Sequence, residues 1–520
     1  MTEQLTNAWI EAYRPLDEEV QCELPIVEGA LPADLRGVLY RNGPGRLGVG
    51  GEMYGHLFDG DGMVLRLAFG ADSQGAPRLH YRNRYVRTAQ FIEEERAGRL
   101  LYRNFGTNRP GGLHKNFLRM RFKNSANTNV IYSPGHPSRP GRRDEVLALW
   151  EGGLPHRLDP VTLETLGPCD FDGGLLNRGN WLARTLSPRL PFAAHPRYDV
   201  ASGDLYNFGM LMGQPPKLLL YRISEGVFAP LGELALQQLS FVHDFVLTPN
   251  WLIFFLYPVA FDIPRALIGL KTPVQALMPL ADAPTQVLMV PRSLFAPGAA
   301  ANGAQEMPRI SADQVRWFSA APCFVFHFVN AHEDARGQVV IDGMRIGSYP
   351  HFAAPAQLVR AQGLVKPTQR LTRFVIDPAA PAQSRAHEEV LSIHPGELPR
   401  THPQHQGQPY RYGYAIGAPA EAQHPFLNCI LRYDTIEKKT LFRDLGAAVP
   451  GEPVMVPRAA AKSEDDGYVL TLVYDGKRGR SLLYVLDARD LSTVAVAMLP
   501  HHVPPGFHGN FVPSAQLAAA

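Results

Sequence analysis

The chain has 520 residues, 45% hydrophobic and 19% charged, a globular composition with ample material for a large core. Its 51 basic and 49 acidic side chains leave a formal net charge of +2, so no overall field favours nucleic acid and no such partner is expected. The first residues have neither a basic region nor an apolar stretch of the kind a secretion signal needs, and no run of 18 apolar residues spans a membrane.

The cysteines Cys22, Cys169, Cys323 and Cys429 are far apart and form no metal-knuckle or redox pair. They read as reduced thiols of a cytoplasmic protein that at most rests on a membrane.

Gly and Pro together make up about 18% of the chain and are spread along its length. Between them lie short apolar or alternating runs: Leu79–Val86, Val146–Trp150, Trp251–Tyr257, Tyr468–Tyr474 and Ser481–Leu486. Runs of this length, rich in β-branched and aromatic residues and bounded by turn residues such as Asp59-Gly-Asp-Gly62, predict strands. Strand signals recur from near residue 37 to near 500 without a clean linker. One all-β assembly covering 1–520 is therefore expected rather than several domains. Ser133–Asp144, Pro297–Asp313 and Asp377–Glu389 are predicted surface loops. Pro264–Pro279 departs from the pattern. It is apolar, carries Arg265 and Lys271 but no acid, and predicts a short helix that either packs on the core or dips into a lipid headgroup layer.

Among 18 histidines, His136, His402, His405 and His424 sit in polar, Pro-rich surroundings and read as solvated. His195, His243, His327 and His508 instead lie at or beside apolar segments: Ala194-His-Pro196, Phe241-Val-His-Asp-Phe245, Phe324-Val-Phe-His-Phe-Val329 and Gly506-Phe-His-Gly-Asn-Phe511. A buried imidazole needs a partner, and four could share one if their strands converge. Imidazole suits zinc, copper, iron or nickel, and spacing alone does not choose among them or require a metal.

With these residues the sequence resembles the carotenoid cleavage oxygenase family over nearly its whole length. The matching elements run in family order and include Tyr40-Arg-Asn-Gly-Pro-Gly45, Phe58-Asp-Gly-Asp-Gly-Met63, Ala126-Asn-Thr-Asn129, Ala148-Leu-Trp-Glu151, Ala194-His-Pro-Arg-Tyr198, Val242-His-Asp-Phe245, Phe326-His-Phe-Val-Asn-Ala331, Gly451-Glu-Pro-Val454, Glu464-Asp-Asp-Gly467 and Phe507-His-Gly509.

The resemblance implies a seven-bladed β-propeller with a loop-and-helix cap over one face. It implies one Fe(2+) held by His195, His243, His327 and His508; His332 is the less favoured alternative to His327. It also implies that Glu151, Glu397 and Glu452 receive the outer N–H of His243, His327 and His508 respectively. Such carboxylates fix the ring tautomer and offset the charge of the ion.

The implied reaction is addition of dioxygen across a conjugated double bond, with scission to two carbonyl products. No nicotinamide, flavin or phosphate-loop fingerprint accompanies it. By the same resemblance Thr128 crowds one coordination position, while Phe58, Trp150, Phe241, Phe326 and Phe507 are candidate walls of an apolar substrate tunnel. By the resemblance, Trp150 stands where the stilbene-cleaving branch has a lysine that contacts a phenol oxygen; an indole there favours a carotenoid or apocarotenoid, with retinal one candidate product. Tyr102-Arg-Asn104 is the opposing signal, since it looks like the segment that gives that branch its phenol-binding tyrosine. A lipid-dissolved substrate turns Pro264–Pro279 toward the membrane reading, and no protein partner is implied. The alternatives are a stilbene dioxygenase and a propeller that binds a polyene without turnover; an isomerising branch of the family would release alcohols.

Overall fold

The computed structural model describes residues 2–118, 122–135, 143–295, 307–348 and 355–517. Strands account for 44% of the chain and helices for 11%, so the molecule is all-β. The expected runs become the strands Pro77–Tyr85, Glu145–Leu149, Trp251–Phe261, Gly467–Asp475 and Arg480–Asp487. Trp251–Phe261 is apolar almost throughout because both its faces are covered in the middle of a sheet.

Described residues form six sheets of four to seven strands and one two-stranded ribbon. The first sheet joins Gln21–Glu23, Pro77–Tyr85, Asp61–Ala71 and Gly37–Arg46 to the late strand Gly509–Pro513. The early strand Ile26–Gly29 in turn pairs with Thr493–Met498 in the last sheet. Both ends of the chain are thus stitched into sheets built by the other end.

Apolar clusters sit between consecutive sheets. Val38, Tyr40 and Val64 meet Val130, Val146 and Ala148, and Ile131 and Leu147 meet Leu205 and Leu219. The last sheet packs back on the first through Leu470, Leu483 and Val485 against Leu39, Leu65 and Tyr81. Each fully buried Leu, Val or Phe in these layers contributes roughly 1.5–3 kcal/mol.

Pro264–Pro279 is not one helix. Asp262 caps a short turn over Ile263–Leu267, Thr272 caps a second over Pro273–Ala276, and Leu277–Pro279 pairs with Trp251–Phe261 as a strand. Gly269, at φ 78°, breaks the first turn, and a Cβ there would stand 2.3 Å from Cβ of Asn116. Parts of the predicted loops Ser133–Asp144 and Pro297–Asp313 lie outside the described residues. No described helix is long and apolar enough to cross a membrane.

Candidate metal centre

Each of the four histidines is delivered from a different sheet. His195 follows the buried Ala193–Ala194, whose carbonyls accept from Asn207 Nδ2 at 2.7 Å and Asn129 Nδ2 at 2.8 Å. His243 lies between the strands Ser240–Phe241 and Phe245–Leu247, His327 lies within Phe324–Glu333, and His508 directly precedes Gly509–Pro513. His508 is strapped on both sides: Asn42 N–H donates to its carbonyl at 2.8 Å, and its own N–H donates to Thr128 O at 3.2 Å.

The structure brings these rings together, with one ligand-capable nitrogen of each lying within 4.8 Å of all the others. Nε2 of His195 is 3.0 Å from Nε2 of His243, which is 3.2 Å from Nε2 of His327. Ring centroids of His508 lie 4.5 Å from His195 and 4.8 Å from His327.

Three carboxylates stand behind them. His327 Nδ1 is 2.6 Å from Glu397 Oε2, His508 Nδ1 is 2.8 Å from Glu452 Oε1, and His243 Nδ1 faces Glu151 Oε1. An imidazole that donates through Nδ1 to a carboxylate carries a lone pair on Nε2. Bare lone pairs at 3.0–3.2 Å repel one another, and a cation among them removes the conflict. Nitrogens about 2.1 Å from a metal and at right angles to each other stand roughly 3.0 Å apart, so the donor set fits a first-row divalent ion.

Electrostatics supports the same polarity at His195 and His508 and opposes it at His243. Burial, reinforced by the neighbouring histidines, holds His195 well below the usual imidazole range. Burial likewise takes His508 down to about 3, although Glu452 pulls upward. For His243 burial acts downward, but Glu151 outweighs it and the ring is raised. Burial alone would raise the Glu452 carboxyl; Arg400, His508 and Arg41 overcome it and hold the group well below the usual carboxylate range.

A cavity of about 2020 Å³ opens onto this group. His243, His327 and His508 line it together with Glu151, Glu397, Thr128, Phe58, Trp150, Phe241, Phe326 and Phe507; His195 completes the cluster without lining the cavity. Phe58 contacts Phe507 at 5.6 Å and Phe326 at 6.3 Å, both edge to face, and Phe326 meets His243 edge to face at 4.9 Å. Thr128 commits its hydroxyl hydrogen to Asn127 Oδ1 at 3.1 Å.

His332 lies outside the histidine group, half-buried near Tyr410. Tyr102 does not line the cavity, and its hydroxyl is tied to Glu93. His402 and His424 are buried rather than solvated. His402 accepts from Gln404 N–H at 3.2 Å to cap the turn Pro403–His405, and burial takes its ring down to about 4. His136 lies outside the described residues.

Sequence reasoning missed the arginines. Arg41 reaches Glu452 Oε2 at 2.5 Å, and Arg400 donates to Glu452 Oε1 at 2.8 Å and to Gly509 O at 2.5 Å. Arg41 lies inside one of the quoted family motifs, Tyr40-Arg-Asn-Gly-Pro-Gly45, and Arg400 follows Glu397 by three residues. The available signals were an arginine within a family motif for Arg41 and an arginine three residues from a candidate site glutamate for Arg400.

The sequence model of the retinal pigment epithelial membrane protein family matches residues 13–513. The chain is 33% identical to the apocarotenoid-15,15'-oxygenase of Synechocystis sp., over 97% of this chain and 96% of that protein. It is 29% identical to resveratrol cleavage oxygenase 1 of Aspergillus fumigatus, over 94% of this chain and 91% of that protein. The solved structure of the cobalt-substituted Synechocystis apocarotenoid oxygenase is similar with a TM-score of 0.81 at 31% identity, covering 98% of this chain and 99% of that one.

Proposed function

The chain belongs to the family of the retinal pigment epithelial membrane protein and the carotenoid cleavage oxygenases, and from that premise we propose that it is a non-haem Fe(2+) dioxygenase cleaving one conjugated double bond of an apocarotenoid or carotenoid to two aldehydes. His195, His243, His327 and His508 hold the ion, and Glu151, Glu397 and Glu452 orient three of them. The single observation that carries the reading is the convergence of four imidazoles, three buried and His327 partly buried, three of them backed by carboxylates, at the wall of an apolar cavity.

When bound, ferrous iron supplies the activation of dioxygen. The chain does the rest. Glu151, Glu397 and Glu452 accept the Nδ1–H of their histidines and keep each Nε2 free for the metal. Phe58, Phe326 and Phe507 wall the cavity beside the histidines, exclude water, and offer ring faces and edges to a polyene. Trp150 adds an indole next to Glu151, and Thr128 narrows the space beside His508. A polyene has no polar group along its length, so its depth in the cavity selects the bond that meets the iron. Cleavage at the centre of a carotenoid skeleton would release retinal.

The cyclic order of the apolar clusters supports the seven-bladed propeller and a single domain over 1–520. On this reading the seven-stranded sheet counts as two blades sharing the long strand His387–Thr401. The membrane reading of Pro264–Pro279 draws on Leu270 and Met278, which are exposed, and on exposed Leu280 just past the stretch, while Ala266, Leu267 and Leu277 line the cavity. Asp262 pairs with Arg265 at 2.7 Å and Lys271 at 2.9 Å, so apolar insertion rather than net charge would drive that contact.

A stilbene substrate draws on the Aspergillus relative and on Tyr102. Against it, Tyr102 is occupied by Glu93 away from the cavity, and Trp150 offers a hydrocarbon surface where a phenol would need a polar partner. The test is to offer the iron-loaded protein an apocarotenal and a hydroxystilbene in parallel and identify products by mass. Two aldehydes from the polyene are expected. Stilbene cleavage with the polyene intact, or stoichiometric binding without aldehyde, would overturn the assignment.

A further inference from the structure

We infer that Arg197 and Asp244 are a positioning pair that locks three of the four histidines, His195, His243 and His327, into one geometry. The inference rests on the reading of the histidine cluster as an iron site and assigns roles to two residues that touch no substrate.

His195, His243 and His327 ride on three different sheets; among the described residues the sheets of His243 and His327 share backbone hydrogen bonds at Trp317–Ser319 with Gln383–Ala386, on the edge strand Arg316–Ala320 rather than beside the rings. Something else must fix their relative positions to a few tenths of an ångström. Arg197 lies two residues past His195, Asp244 follows His243, and Phe328 follows His327.

The Asp244 carboxylate is almost completely buried and takes three donors. Oδ1 accepts from Phe245 N–H at 2.8 Å, and Oδ2 accepts from Phe328 N–H at 2.9 Å and from Arg197 Nη2 at 2.5 Å. Arg197 then spans the same segments from the other side, donating from Nε to Phe245 O at 2.8 Å and from Nη2 to Phe328 O at 3.3 Å. The ladder between Phe324–Glu333 and Val339–Ile346 slips on both sides of Phe328, which turns the peptide groups of that residue toward the ion pair.

Five hydrogen bonds from one guanidinium and one carboxylate therefore tie together the backbone next to three metal-facing rings. Neither group can be replaced by its usual conservative substitute. The amide of Asp244→Asn has one oxygen for three donors, so its NH2 would face an N–H. The ammonium of Arg197→Lys cannot span Phe245 O, Phe328 O and Asp244 together.

The pair is tested with iron-loaded and cobalt-loaded wild type, Asp244→Asn and Arg197→Lys. Asp342→Asn serves as control, because Asp342 is an equally buried carboxylate paired with Arg373 at 2.7 Å and outside the histidine group. Metal affinity is read by chelator competition, site geometry by the visible spectrum of the cobalt form, and folding by thermal unfolding of metal-free protein. Asp244→Asn is expected to weaken metal binding roughly 10- to 100-fold and change the cobalt spectrum, with Arg197→Lys intermediate. Asp342→Asn should lower thermal stability to a similar extent while leaving affinity and spectrum alone. Should Asp244→Asn fail to fold, Arg197→Lys, which keeps the ion pair, decides alone. Wild-type affinity and spectrum in the variants, or a loss no larger than that of Asp342→Asn, would overturn the pairing only. A wild type that binds no metal would overturn the site itself and the pairing with it.

Discussion

Replacing Glu452 by Gln perturbs the most heavily invested carboxylate of the centre. It accepts from Arg41 at 2.5 Å, from Arg400 at 2.8 Å, from His508 Nδ1 at 2.8 Å and from Gly509 N–H at 3.0 Å. The Glu452 and Arg41 side chains are 1% and 3% exposed, so Glu452→Gln leaves a buried guanidinium without its counter-charge. Breaking such a pair costs about 3–5 kcal/mol, and the Arg400 contact adds little because that side chain is 26% exposed. At about 2.1 cal/mol/K per residue, unfolding 520 residues carries an entropy near 1.1 kcal/mol/K, so the metal-free protein should lose about 3–5 °C in Tm. The amide also turns an NH2 or a neutral oxygen to His508, and metal affinity should fall roughly 10- to 100-fold. Scanning fluorimetry of metal-free protein and chelator competition measure the two effects separately. A metal-free Tm within about one degree of wild type, together with unchanged affinity, would refute the reasoning.

Asp59 makes a pH-dependent case. Burial raises its carboxyl to about 7 despite hydrogen bonds from Thr107 and Gly106 and the charge of Lys123. Between about pH 4 and 7 the folded chain therefore holds a proton that the unfolded chain has released, and stability falls as pH rises through that window. The Tm of Asp59→Asn relative to wild type should climb across the same window; a flat difference would contradict it. Gly152→Ala places a Cβ 2.7 Å from the Trp150 ring, so the indole must shift at the cavity wall, and should change the aldehydes formed from a panel of apocarotenals. Unchanged products would remove Trp150 from the substrate path. Leu270→Glu combined with Leu280→Glu, at two exposed positions, should abolish co-sedimentation with lipid vesicles while leaving Tm unchanged. Equal sedimentation would place the membrane contact elsewhere. Tyr102→Phe should leave polyene cleavage unaffected, since the hydroxyl serves Glu93 outside the cavity; a drop in kcat would bring Tyr102 back into the site.

The strands were legible because their chemistry is local. Trp251–Phe261 announces itself by an unbroken apolar run, and Gly467–Asp475 by its β-branched and aromatic residues between turn signals. The pairing of Gly509–Pro513 with Gly37–Arg46 could not be read, because register between segments some 470 residues apart leaves no mark in either. For the site, the histidines stood out only as polar rings in apolar segments, and the resemblance assigned their common purpose. The composition of Gly396-Glu-Leu-Pro399 does not by itself point Glu397 inward; only the resemblance paired it with His327. Glu397 turns inward because the strand register slips beyond it and Leu398 adopts φ 52°, neither of which composition reveals. The Pro264–Pro279 helix failed on Gly269 and Pro273, whose breaking power outweighed the apolar pattern. His402 misled because a Pro-rich neighbourhood suggested solvent, whereas its ring caps the turn that follows it.

X-ray absorption at the iron edge of the loaded protein tests the centre most directly. Four imidazole nitrogens at about 2.1 Å are expected around one iron per chain. A shell with two or fewer nitrogens, or one made mainly of carboxylate oxygens, would contradict the proposal that His195, His243, His327 and His508 share a single ferrous ion.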